Sequence, residues 1–165
     1  MSFRFYRVFC SDPGLVDNEC QTFLDAIAEV NERIIGSGNL FVPAFLPVNL
    51  TNKPTLQKMV DQNVEDSTFF VQILRDTWGP PEHHMEHEFQ LARRCRDDAS
   101  RPMQSIAVFL QQPAAPELAA IAAPDASHNF ATLDELRAAL VEQLREWSQS
   151  MALTTGADAR PLSAT

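Results

Sequence analysis

Thr68-Phe69-Phe70-Val71-Gln72-Ile73-Leu74 is the stretch that decides the fold. It is almost wholly apolar, rich in aromatic and β-branched side chains, and too short for an ordinary helix. A run of that kind reads as a strand buried on both faces. Such strands sit inside parallel sheets, and their neighbours are reached through helical crossovers.

Outward from this strand, helices and strands alternate. Thr55 to Val64 precedes it, with Leu56, Met59, Val60 and Val64 on one helical face. Trp78-Gly79-Pro80-Pro81 follows as a loop, then a helix from Glu82 to Arg96 and a strand from Met103 to Gln111 centred on Ile106-Ala107-Val108-Phe109-Leu110. Toward the start, Phe3 to Cys10 reads as a strand that Ser11-Asp12-Pro13-Gly14 stops. Phe23, Ile27, Val30 and Ile34 then mark a helix from Val16 to Ile35, closed by Gly36 and Gly38. Phe41 to Val48 is a further strand, and its two prolines place it near an edge or keep it short.

Toward the other end, Pro113 to Ala123 gives one short helix and His128-Asn129-Phe130 a short fifth strand. Thr132 and Glu135 form a capping box for a last helix with Leu133, Leu136, Leu140, Leu144 and Trp147 as its stripe. The Ala/Thr/Ser/Gly-rich remainder reads as a disordered tail. The expected organisation is one domain over residues 1–149 and a tail over 150–165. The expected fold is α/β: a doubly wound, mostly parallel sheet of four or five strands with helices on both faces.

Composition narrows the function. The chain has 165 residues, 45% of them hydrophobic, enough for one buried core and too many for a disordered chain. Its net charge of -9 argues against nucleic-acid binding, which needs surplus basic charge. The three cysteines, Cys10, Cys20 and Cys95, form no CxxC pair, so neither a redox motif nor a zinc ribbon is expected. The opening residues lack a secretory pattern, and no run approaches the ~18 apolar residues of a membrane helix. A cytoplasmic protein without a membrane partner is the expectation.

In doubly wound sheets, ligands collect at the carboxyl ends of the strands. That points to the turn at Cys10–Gly14, the Pro47–Thr55 loop and the Arg75–Glu88 segment. At 100° per residue, Met85, Phe89, Ala92 and Cys95 form the apolar face of the third helix, and Glu88 falls inside it. A carboxylate there must be paired or hydrogen-bonded. It is either a structural partner of Arg7, Arg75 or a backbone amide, or an acid–base group facing the ligand cleft. Glu82 and Glu86 lie roughly opposite.

His83 and His87 share a side, but their pattern is not that of a zincin and no third ligand has the right spacing, so no metal is expected. Ser11 has no nucleophile elbow around it, and the single glycine of its turn makes neither a dinucleotide fingerprint nor a P-loop. Trp78 is a core or loop anchor, or a stacking platform.

Four segments together resemble a TIR-like domain family found at the start of NACHT and tetratricopeptide proteins. Arg7-Val8-Phe9-Cys10-Ser11 is similar to its first strand, and Val64 to Leu74 to its central strand. Trp78-Gly79 and Met85-Glu86-His87-Glu88-Phe89-Gln90-Leu91-Ala92 are similar to the aromatic-Gly and the helix start that follow. Phe130 through Trp147 is similar to the closing helix. Cys10-Ser11-Asp12 stands where Ser-Ser-Thr is usual, and Asn18-Glu19-Cys20 where the first helix usually has an acidic-Arg pair.

The resemblance implies a TIR- or flavodoxin-like three-layer sandwich. It also implies the chemistry of the wider TIR and nucleoside 2-deoxyribosyltransferase superfamily, cleavage of an N-glycosidic bond, often that of NAD. Enzymes of that group use a glutamate four residues before a small residue, a spacing that Glu88 and Ala92 meet. Glu88 is then the catalytic group, and Ser11, Asp12, Arg75, Trp78 and Glu86 are the candidate substrate contacts. NAD enters as a substrate; no cofactor is expected. The alternative the resemblance implies is a non-catalytic adaptor that self-associates or meets a protein partner in trans, through unpaired sheet edges or helix faces.

Overall fold

In a computed structural model of the chain, residues 2–11, 17–44, 53–75, 78 and 85–154 are described. Strands and helices alternate throughout. They are β1 (Arg4–Ser11), α1 (Asp17–Ile34, continued by a 3-10 turn at Ile35–Ser37), β2 (Asn39–Ala44), α2 (Lys53–Glu65) and β3 (Phe69–Leu74). Then follow α3 (Met85–Asp97), β4 (Ser105–Gln111), α4 (Pro116–Ala122), β5 (Ala126–Phe130) and α5 (Leu133–Thr154). All five strands are parallel, in the order β2-β1-β3-β4-β5. The expected α/β class and doubly wound sheet are what the chain adopts. The order reverses between β1 and β3, which makes their carboxyl ends the topological switch point.

The pleat of β3 explains the two cores. Phe69, Val71 and Ile73 face one side, where they meet Phe23, Ala26, Ile27 and Val30 of α1 and Leu136, Leu140, Leu144 and Trp147 of α5. Phe70 and Leu74 face the other, against Val60 and Val64 of α2, Met85, Phe89 and Ala92 of α3, and Leu118 and Ala122 of α4. Gln72 lies between Phe70 and Leu74 on that second face, in an otherwise apolar strand. The central packing contact of the first face is Trp147 stacked on Phe69, with centroids 4.4 Å apart and planes 12° from parallel.

The last helix differs from expectation in three respects. Thr132 Oγ1 accepts the Glu135 N–H at 3.2 Å, as a cap should, but the Glu135 carboxylate reaches one residue further back, to the Ala131 N–H at 2.6 Å. Leu133, assigned to the stripe, is exposed, because the first helical residue precedes the turn that meets the sheet. The helix also continues to Thr154, beyond the boundary placed at residue 149, because Met151 extends the stripe of Leu140, Leu144 and Trp147 and is buried with them. At the other end of the chain, β1 begins at Arg4, one residue later than the sequence predicts, and both Phe3 and Phe5 are exposed.

β2 is an edge strand, as its prolines suggested, with Pro43 inside it and Pro47 outside the described residues. The Asn31 side chain on α1 takes both backbone groups of Phe41: its Nδ2 donates to the carbonyl and its Oδ1 accepts the N–H, each at 2.9 Å. Residues 39 and 43 face outward with Phe41, since backbone direction alternates along a strand. The Asn39 N–H goes to Ser37 Oγ at 3.3 Å, and Pro43 has no N–H. Before this strand, Gly38 turns the chain at φ 77°, where a side chain would be strained and its Cβ would lie 3.3 Å from the Ser2 carbonyl.

Candidate functional site

The site begins with the rotation of α3. Its buried residues are Met85, Glu88, Phe89, Leu91, Ala92 and Cys95, so the face expected from the wheel is the face that meets the sheet. Arg93 and Arg96 lock that rotation from the far side. The side chain of Asp125, in the turn between α4 and β5, is fully buried and accepts from Arg93 at 2.7 Å and from Arg96. The Arg93 guanidinium also lies 4.3 Å from the centre of the Phe89 ring, a cation–π contact. Burial and the neighbouring Glu65 carboxylate push the Cys95 thiol up, so it remains protonated at neutral pH.

With α3 held this way, Glu88 reaches the switch point. Ser11, the last residue of β1, donates its hydroxyl to Glu88 Oε2 at 2.6 Å. In the sheet register Ser11 lies beside Gln72 of β3. Gln72 Nε2 donates to Ser11 Oγ at 3.2 Å and to the Ser11 carbonyl at 3.1 Å. Ser11 is 2% exposed, Gln72 0% and Glu88 8%, so the relay lies almost out of water. The direction is fixed by inventory. The Ser11 hydroxyl has one proton, which goes to the carboxylate, so its lone pair accepts from Gln72. A hydroxyl-to-carboxylate bond of this length is charge-assisted and holds the carboxylate in one orientation.

A second polar pair sits at the same end of the sheet. Arg75, just after β3, donates Nη2–H to Glu19 Oε1 at 2.7 Å, and Glu19 comes from the first turns of α1. Its carboxylate is buried while the guanidinium is about one-third exposed. Trp78 is half-buried against Phe89, with ring centroids 5.3 Å apart, and packs on the α3-side core.

The structure therefore brings Ser11 and Glu88 into direct contact and places Arg75 and Trp78 at the same edge. Arg75 pairs with Glu19. Glu86 is exposed on the outward side of α3, away from the relay, because it falls across the helix from the buried stripe. Asp12 lies outside the described residues, as do His83 and His84. His87 is exposed and contacts Asp61 at 3.1 Å.

Two members of the cluster were missed by sequence reasoning. Glu19 carried the same signal as Glu88, being a carboxylate in register with the stripe of Phe23, Ala26, Ile27 and Val30. Gln72 carried a fainter one, as the single amide within a buried strand.

No protein-family model and no curated protein matches the chain. Among solved structures, the chain is similar to the CMP N-glycosidase BcmB of Clostridium botulinum, at 14% sequence identity and a TM-score of 0.45 over 81% of this chain and 97% of that one.

Proposed function

We propose that the chain binds a nucleotide or nucleoside at the β1–β3 switch point and cleaves its N-glycosidic bond, with Glu88 as the catalytic carboxylate. The observation that carries this reading is the buried Glu88, oriented by the 2.6 Å bond from Ser11 at the end of β1. Positive charge develops at ribose C1′ as the C–N bond breaks and its electron pair leaves with the base. A fixed carboxylate in a water-poor site stabilises that charge far better than a solvated one.

Glu88 either holds the cation while water adds or bonds to C1′ as an ester that water then hydrolyses, returning the carboxylate. A nicotinamide leaving group departs neutral; other bases leave with a proton taken from solvent, and the water that adds to C1′ returns one. Gln72 and Ser11 orient the carboxylate, and Trp78 offers an aromatic face for the base or ribose.

The test is incubation of the full chain with NAD, and separately with nucleosides, followed by assay of the released base. Release should fall by about a hundredfold or more in Glu88→Gln. Release that persists undiminished in that variant removes Glu88 from the mechanism.

A second reading is the TIR-like adaptor without chemistry. It is favoured by the same relay seen as structure, since Gln72 donates to Ser11 and Ser11 to Glu88 within a buried network. It predicts no base release from any substrate, together with concentration-dependent association in sedimentation.

A further inference from the structure

The Glu19–Arg75 pair is incomplete. Glu19 is 6% exposed and uses Oε1 to accept from Arg75 Nη2. Its Oε2 is buried with no hydrogen-bond partner among the described residues, and the same holds for Arg75 Nε. In a guanidinium, Nε–H and Nη2–H lie on one side and form the fork that a carboxylate ordinarily fills with both oxygens. Here one tine is filled and one is open, and so is one of the two carboxylate oxygens. A buried acceptor and a buried donor left open together are costly, and a structural pair would remove the cost by closing to the bidentate form. Gln72, three residues before Arg75 and fully buried, adds a further open acceptor at Oε1.

We infer that the Glu19–Arg75 pair is a subsite for a sugar hydroxyl, which donates to Glu19 Oε2 and accepts from Arg75 Nε–H. A hydroxyl is the small group that does both at once. Phosphate fits poorly, because the Arg75 charge is already matched by Glu19 and a further carboxylate, Glu88, lies at the same sheet edge. Arg75 thus contacts the substrate through Nε as part of a neutral pair. The inference rests on the glycosidase reading for the identity of the ligand as a riboside, and it names the part of that ligand the pair recognises.

The test is calorimetric binding to the full chain carrying Glu88→Gln, so that turnover does not intervene. The probes are adenosine, cytidine and uridine, each beside its 2′,3′-dideoxy counterpart. At least one riboside should bind about tenfold or more tightly than its dideoxy form. In Glu19→Gln and in Arg75→Lys that preference should shrink to about twofold or less. Arg75→Lys keeps a cation beside Glu19 and loses the Nε donor, so it answers the question even where Glu19→Gln does not fold.

Equal binding of the ribo and dideoxy forms overturns the subsite. So does a preference that survives Arg75→Lys, and so does the absence of riboside binding up to about 1 mM. Hydroxyl preference without base release by the unsubstituted chain would instead retain the subsite and remove the glycosidase.

Discussion

Ser11 is the residue through which β1, β3 and α3 communicate, since it accepts from Gln72 and donates to Glu88. Ser11→Ala should remove one hydrogen bond from the buried carboxylate and one from the Gln72 amide, at a cost of about 1–3 kcal/mol in urea denaturation. It should also slow base release while leaving riboside affinity nearly unchanged. Cys95 offers a pH-dependent check. Its folded thiol is raised by burial, so the stability it contributes is full below the ordinary thiol range. That stability is lost as pH rises through the folded value, because the unfolded thiol ionises first. The stability of the chain should fall between about pH 8 and about pH 10 by more than that of Cys95→Val. At this scale, legibility followed periodicity. Glu88 was legible because it interrupts an apolar helical stripe; Glu19 interrupts one in the same way and was overlooked. A strand buried on both faces has no alternation for Gln72 to violate, so its importance emerged only when the register set it beside Ser11.

The elements depend on contacts that join distant segments. α3 is oriented from outside by Asp125, whose carboxylate is fully buried between Arg93 and Arg96. Asp125→Ala should cost about 3 kcal/mol, because it strips a buried partner from two arginines. Since it frees the helix that carries Glu88, it should also lower base release more than a surface substitution on α5 such as Glu142→Ala. Nothing near Asp125 in the sequence marks this role, because its partners lie about thirty residues earlier and the pairing depends on how α4 turns into β5. Helix α5 makes a complementary point. Its stripe was legible as far as Trp147 and its true end was not, because polar Ser148, Gln149 and Ser150 hide the next core residue, Met151. Ending the chain after Gln149 should therefore cost about 2 kcal/mol or more, readable as a lowered melting temperature.

For the whole molecule, the alternation of strand and helix sufficed to give the parallel, doubly wound class. The order of strands after Pro113 did not follow from it, because sheet order is a property of non-local pairing, and β5 is short and only partly buried. The two sides of the sheet end differently, and one of them restricts association. Along β2, the outward N–H groups go to Ser37 and Asn31 or, at Pro43, do not exist. The Asn31 amide is in effect a peptide group on a stalk, a strand of length one lent by α1. At Phe41 it occupies the place where a second chain would add its own backbone, which disfavours joining sheets through this side. Asn31→Ala should reopen the Phe41 N–H and carbonyl, and sedimentation velocity should then show self-association that grows with concentration. One helical side chain thereby closes the middle of a sheet edge that Ser37 and Pro43 close on either side.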